Sequence, residues 1–373
     1  MLKRTPLFSA HQQLAAKLID FGGWEMPVQY TSITDEHLAV RSAAGIFDIS
    51  HMGEVTVSGA GAEAFLNSVL TNNIGKLAAG QGQYTLMCHA GGGVIDDLYA
   101  YQLSEGVYLL IINASRIEAD VAWLQAKAAK FSGELKLTDA SHQYAAIAVQ
   151  GPRAKEFINA AIPGASISAR RVATVTDLKK NEIGGFKYHN GSLLVARTGY
   201  TGEDGFEIVG SDEAILRVWS KVLEIGRPFG LKPAGLGARD TLRTEVCYPL
   251  YGHELNENIT PIEAGLGFFV ALDKGDFNGR SVLAEQKANG VKRRLAVFKM
   301  AEKSAPPRPH YPIWANGAKV GEVVSGTQSP SLNVGIGMGY LPPEFAKPDT
   351  KIEIEIRGRR FAAVVVPKPI YRK

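Results

Sequence analysis

The chain is 373 residues long, more than one hydrophobic core usually organises, so two or three domains are expected. With 45% hydrophobic and 21% charged residues it has the composition of a soluble globular protein, and a net charge of +4 is too small to argue for nucleic acid while suiting an anionic small molecule or an acidic partner. Cys88 and Cys247 form no CxxC, which speaks against a disulfide framework or zinc site and for a reducing compartment, and the longest apolar runs, such as Val107–Ile112, are core-strand lengths rather than membrane spans.

Residues 1–19 hold Lys3, Arg4 and Lys17 but no acid, a superficial likeness to a presequence; they run unbroken into patterned structure and read as mature protein. Ser9 is placed to cap a helix over Ala10–Ile19 with Leu14 and Leu18 in its buried stripe, and Phe21–Pro27 reads as an aromatic, flexible loop. Thr34, Asp35 and Glu36 open a second helix that Gly45 closes. Ile46–Glu54 leads into an alternating strand at Val55–Val57; His51 has no second histidine at ligand spacing and reads as a satisfied structural histidine. Residues 62–70 read as a helix and Val107–Ile112 as a strand, followed by a capping box, Ser115-Arg116-Ile117-Glu118, and a helix containing Val121 and Leu124. A strand over 144–149 runs into Gly151-Pro152, with Pro152 as the first residue of a helix.

Two stretches carry the chemistry. Gly91–Tyr101 joins a strand at Tyr84–Cys88 to one at 94–101 through a turn of three glycines. Alternation puts Asp97 on one face with Ile95, Tyr99 and Tyr101, and Asp96 on the other with Val94, Leu98 and Ala100. A carboxylate among such neighbours needs hydrogen bonds and is often functional, although two acids capping a hairpin's N–H groups would look the same. The second stretch, Arg197–Glu207, is a glycine-rich, ionisable loop between a strand at Leu193–Ala196 and a helix at Asp212–Ile225 capped by Ser211, either a ligand loop or a solvated acidic turn. Gly235–Asp240 then opens a helix with Leu242 and Val246 inside, without G-x-G-x-x-G or a Walker lysine. Beyond residue 290, prolines, glycines and short alternating runs (Leu295–Phe298, Lys351–Arg357, Phe361–Val366, with a turn at Gly358) indicate a β-barrel or sandwich. HExxH, paired-cysteine clusters and G-x-S-x-G are absent. A single well-placed carboxylate, a set of tyrosines, and Glu207 and Arg239 on glycine-rich elements remain, suited to holding a polar planar ligand during group transfer.

The chain resembles the glycine cleavage system T-protein family, the tetrahydrofolate-dependent aminomethyltransferases. The matching segments are Arg4–Leu7, Phe21–Pro27, Phe47–Glu54, Gly93–Leu98, Arg197–Glu207, Pro233–Arg243, Thr260–Gly267, Ser325–Pro330 and Pro369–Tyr371, nearly the whole chain. The resemblance implies an α+β fold: two interleaved antiparallel-sheet α+β subdomains over residues 1–285 forming a folate-binding module, then a C-terminal β-barrel over 290–373, in a cloverleaf. It implies a cytoplasmic, bacterial-type enzyme with no transit peptide, no metal, and no nucleic-acid or membrane partner. Its substrate would be the aminomethyl group on the lipoyl arm of the H-protein, its co-substrate tetrahydrofolate, and its products ammonia, methylenetetrahydrofolate and dihydrolipoyl H-protein.

By position Asp97 matches the family's functional aspartate, which would orient the folate nitrogen, assist its proton loss and stabilise an iminium cation. Glu207 is the candidate acceptor for the pterin N–H edge, and Arg239 for an anionic or carbonyl part of the folate. Met52, Tyr84, Tyr101, Asn113 and Tyr200 are expected as pocket walls and Tyr371 as a folate contact. His310 stands before Tyr311 where relatives usually carry glycine, a departure that bears on loop shape. Alternatives are a folate-dependent demethylase of the same fold, or a non-enzymatic folate-binding factor of iron–sulfur cluster assembly. The latter's Lys-Gly-Cys-Tyr-x-Gly-Gln-Glu block has no counterpart in Asp273–Arg280, which lacks cysteine.

Overall fold

A computed structural model describes residues 2–373. The chain forms two compact units, one from the segment up to Thr85 with Leu98–Arg239, the other from Leu86–Asp97 with Asp240–Lys373. Strands Gln81–Cys88 and Val94–Ser104 and helix Leu236–Glu245 each pass from one unit into the other.

The first unit is built on two sheets. One runs Ile183–Tyr188, Gly191–Ala196, Gly205–Gly210, Ala145–Gln150, Ala44–Asp48, Leu231–Pro233, antiparallel except for the last pair. The other runs Gln81–Cys88, Val94–Ser104, Val107–Ile112, Gly53–Ser58, Lys136–Asp139. Helices Ala154–Ala161 and Asp212–Gly226 contribute Phe157, Ile158, Val218 and Trp219 to the core that also buries Ile147, Val149, Phe206 and Ile208 of the first sheet. Full burial of each such side chain is worth roughly 1.5–3 kcal/mol. A second cluster, with Tyr101 and Leu109 from one sheet and Ile183 and Ala196 from the other, packs the sheets together. The α+β character expected from the resemblance is therefore present.

Several local expectations change. The first helix is Phe8–Gln13, not Ala10–Ile19: Ala15 sits at φ 54, and Lys17–Phe21 pairs antiparallel with Trp24–Gln29, so Phe21–Pro27 belongs to a hairpin rather than a free loop. The second helix, Ile33–Ser42, is capped by Ser32, whose side chain accepts from Asp35 N, and Gly45 lies in the next strand. No capping box forms at Ser115–Glu118; a 3-10 turn at Ala114–Arg116 precedes helix Ile117–Ala128. Pro152 falls in the turn before helix Ala154–Ala161. Ser211 does cap Asp212–Gly226, accepting from Ala214 N.

The strand Gly53–Ser58 carries Glu54, 1% exposed, with neither carboxyl oxygen hydrogen-bonded to any of the described residues. Burial, with the nearby Asp139 charge, pushes its pKa up to about 9, so the group is a neutral acid at neutral pH. A folded-state pKa raised above the ordinary value favours folding below about 4.5, and that advantage is lost as pH rises towards about 9. Glu54→Gln, which cannot ionise, is expected to gain melting temperature over the parent progressively from pH 5 to pH 9. A constant difference across that range would refute the assignment.

In the second unit the expected barrel is closed, in the order Arg294–Met300, Val334–Leu341, Ala318–Ser329, Pro312–Ala315, Lys351–Ile356, Arg359–Val366. Closure leaves no edge strand to template aggregation. Ile352, Ile354 and Ile356 point into its core with Phe298, Ile313 and Val365, while Glu353 and Glu355 face outward. His310 has φ 70 and donates its N–H to Val323 O at 2.8 Å, so the loop keeps a left-handed conformation suited to glycine although the residue is histidine.

Candidate functional site

In the first unit, Arg197–Asp204 links strands Gly191–Ala196 and Gly205–Gly210; a strand thus intervenes before the helix that the sequence placed directly after this loop. Its ionisable residues are mostly structural. Arg197 donates to Asp204 from Nε (2.9 Å) and Nη2 (2.6 Å) and from Nη1 to Thr176 O and Leu178 O. That fork holds the Asp204 carboxyl below its usual pKa range. Arg41 anchors the loop's other side, donating to Thr201 O (2.6 Å) and Glu203 Oε1 (3.1 Å). Gln150, 1% exposed, lies beneath: Nε2 donates to Thr198 O (3.0 Å) and Oε1 accepts from Thr201 Oγ1 (3.0 Å). A Cβ at Gly199 would lie 1.8 Å from Gln150 Oε1, so any larger residue here would push the Gln150 amide out of place.

The loop so fixed places Thr198 beside Glu207. Thr198 Oγ1 donates to Glu207 Oε2 at 2.6 Å, and Tyr101 OH lies 2.9 Å from Thr198 Oγ1. Tyr101 is itself held by a stack with Tyr99 (ring centroids 5.0 Å apart) and by Gly82, where a Cβ would meet its ring at 2.2 Å. Burial, then the Glu207 charge, raises the Tyr101 pKa well above 10, keeping a neutral phenol. Glu207 is half-buried, and its Oε1 has no hydrogen-bond partner among the described residues.

Arg239, half-buried in helix Leu236–Glu245, places its guanidinium 4.7 Å from the Tyr200 ring centroid. His51 is buried against Phe21 (5.5 Å, edge to face); burial, then the Arg239 charge, lowers its pKa to about 4, so the ring is neutral. The sequence reading of His51 as satisfied is corrected, since its Nδ1 is buried without a hydrogen-bond partner among the described residues. Met52, Tyr84 and Asn113 are half-buried residues of this unit.

In the second unit, the glycine turn packs against backbone: a Cβ at Gly93 would lie 1.8 Å from Glu257 O, and Val94 N donates to Ile259 O (2.9 Å). This pins the start of strand Val94–Ser104, on which Asp96 is fully buried and Asp97 only partly. Tyr371 is fixed by its backbone, its N–H donating to Glu245 O at 2.9 Å. The carboxylate of Glu245, also buried, accepts from Ser329 Oγ, Ser331 N and Ser331 Oγ, tying the end of helix Leu236–Glu245 to the Ser325–Pro330 segment.

Residues 7–274 match the family described as GCVT N-terminal domain, and residues 293–372 match the glycine cleavage T-protein C-terminal barrel domain. The chain belongs to the glycine cleavage T-protein family. Its curated relatives include aminomethyltransferases of Bacillus cytotoxicus (49% identical over 379 aligned residues) and Bacillus mycoides (48%), each alignment covering 100% of this chain and 99% of the relative. Among solved structures, the glycine cleavage system aminomethyltransferase T of Bartonella henselae superposes with a TM-score of 0.90 at 32% identity, covering 100% of this chain and 98% of that one.

Of the residues singled out from the T-protein resemblance, the first unit brings together Tyr101 with Glu207, through Thr198, and Tyr200 with Arg239. Asp97 and Tyr371 lie in the second unit. Sequence reasoning missed Thr198 and Gln150. Both stand in or beside motifs that were noticed, but a threonine or glutamine in a turn carries no signal until its partners, 97 and 48 residues away, are known.

Proposed function

We propose that this T-protein transfers the methylene carbon of the aminomethyl group on the lipoyl arm of the H-protein to tetrahydrofolate. The observation that carries the reading is end-to-end identity with aminomethyltransferases across both the N-terminal domain and the barrel. In the reaction the folate nitrogens form two new C–N bonds while the bonds from the carbon to sulfur and to the amine break. Ammonia leaves, one of the two folate N–H protons ends on the dihydrolipoyl thiol and the other is released. Asp97 orients the attacking nitrogen, assists its deprotonation and stabilises the cationic intermediate. Glu207 accepts N–H donors of the pterin edge, and Arg239, braced on Tyr200, holds an anionic or carbonyl part of the folate. Met52, Tyr84, Tyr101, Asn113 and Tyr200 wall the folate site, with Tyr371 as a further contact. The proposed domain division keeps residues 1–285 as the folate-binding module and 290–373 as the barrel, in a cytoplasmic enzyme.

The direct test is ammonia release from aminomethylated H-protein with and without tetrahydrofolate. Folate-stimulated release supports the reading. Turnover of a small methylated donor alone, with none from the H-protein intermediate, would replace it with a demethylase. For the folate contacts, Glu207→Ala and Arg239→Ala should each weaken tetrahydrofolate binding about ten- to a hundredfold with the fold intact, the worth of one charge-assisted hydrogen bond. Calorimetric titration of the purified variants measures this, and parent-like affinity in both would remove these two residues from the site.

A further inference from the structure

We propose that Thr198 is a positioning residue for the folate-binding carboxylate: a one-way hydrogen-bond chain from Tyr101 through Thr198 pins Oε2 of Glu207 and presents Oε1 as the acceptor for the ligand's N–H groups. This deepens the proposed function and rests on Glu207 being the folate contact.

The direction of the chain follows from proton counting. Thr198 Oγ1 donates its single hydroxyl proton to Glu207 Oε2, 2.6 Å away. The lone pairs left on Thr198 Oγ1 can then only accept, and the hydroxyl 2.9 Å away on Tyr101 must be the donor. Tyr101 can fill that role because its buried phenol stays protonated.

Nothing else on the strand would hold the glutamate. Its cross-strand neighbours are Ala196 and Ala148, whose methyl groups are too short to select among the rotamers of a Glu side chain. Thr198, by contrast, is stiff at χ1, and its backbone is clamped through Gln150 and the side-chain-free position at Gly199. The hydroxyl therefore sets the carboxylate in advance, so the ligand need not order it on binding. A carboxylate with one oxygen pinned and the other open selects a ligand edge that donates hydrogen bonds over one that only accepts.

The experiment is titration of tetrahydrofolate into Thr198→Val, Thr198→Ser, Glu207→Gln and the Thr198→Val/Glu207→Gln double variant, with kcat at saturating folate and H-protein and melting curves for each. Thr198→Val, which keeps the shape and loses the hydroxyl, should weaken folate about tenfold while kcat stays within about twofold, a loss that reads on KM rather than on chemistry. Thr198→Ser should restore parent affinity. The double variant should bind no worse than Glu207→Gln alone, because the hydroxyl acts only through the carboxylate. Weakened binding in Glu207→Gln with parent affinity in Thr198→Val overturns the positioning role and leaves Glu207 as the contact. Parent affinity in Glu207→Gln overturns the folate contact itself, and the positioning role with it. A Thr198→Val loss that Ser does not restore, or that falls on kcat instead of KM, also overturns the proposal. Should Thr198→Val fail to fold, Thr198→Ala removes the same hydroxyl without adding a branched methyl group. Reduced folate affinity with kcat retained then supports the chain, and unchanged affinity overturns it.

Discussion

Asp97→Asn is expected to leave tetrahydrofolate binding in place and to lower kcat by about 10²–10⁴, the usual worth of a carboxylate acting as base and electrostatic stabiliser. The amide keeps the size and part of the hydrogen bonding while removing the charge. The neighbouring acid supplies the control. Asp96 is fully buried on the strand face that carries Val94, Leu98 and Ala100, all 3% exposed or less, whereas Asp97 retains partial exposure on the opposite face. Asp96→Asn should therefore act on stability and spare most of the rate in molecules that fold. Measuring kcat for both variants at saturating folate and H-protein, beside their melting curves, separates the roles. Asp96 essential and Asp97 dispensable would reverse the assignment.

The largest stability effect is expected at Arg243, a buried cation in the unit that carries the barrel. Its side chain is 2% exposed and that of Glu254 is fully buried, with Nη1 2.7 Å from Glu254 Oε2. Nε donates to Asp240 Oδ1 (2.8 Å) and Nη2 to Ser325 Oγ (2.7 Å), so one guanidinium fork joins helix Leu236–Glu245, the Leu250–Glu254 turn and a barrel strand. Arg243→Met strands the Glu254 charge without its counter-ion, a loss of about 3–5 kcal/mol. At about 2–4 °C per kcal/mol that is on the order of 10 °C in the melting of this unit. Pairing Arg243→Met with Glu254→Leu removes both charges and should recover most of the loss. Differential scanning calorimetry of the single and double variants decides it, and a double variant as unstable as the single one would show that packing rather than charge is at stake. Arg243→Lys should not rescue, because a point ammonium cannot reach three partners at once.

Much of this protein was legible from residues in order. Alternation in Ile352–Ile356 and a turn at Gly358 marked a barrel hairpin, and the strand over Val107–Ile112 and the Ser211-capped helix stand where local pattern put them. The reason is that pleat period, turn conformation and helix capping depend on residues a few positions apart. The same local logic failed at residues 10–19, where an apolar stripe suited a helix but Lys17–Phe21 found a better partner in Trp24–Gln29. There, hydrogen bonding across a hairpin outweighed intrinsic helix propensity.

Tertiary structure alone decided the rest. No local signal places Leu231–Pro233 parallel to Ala44–Asp48, or detaches Leu86–Asp97 from its chain neighbours to join a unit that begins again at Asp240. Nor does one connect Tyr101 to Thr198, whose hydroxyl becomes a relay only when two sheets bring side chains 97 residues apart to 2.9 Å. Sequence determined which residue types were available for the chemistry, because acids, tyrosines and glycines in a turn declare their capabilities locally. Which oxygen of Glu207 is held and which is open depends on directional bonds spanning long stretches of chain, and only the packed fold determines those distances.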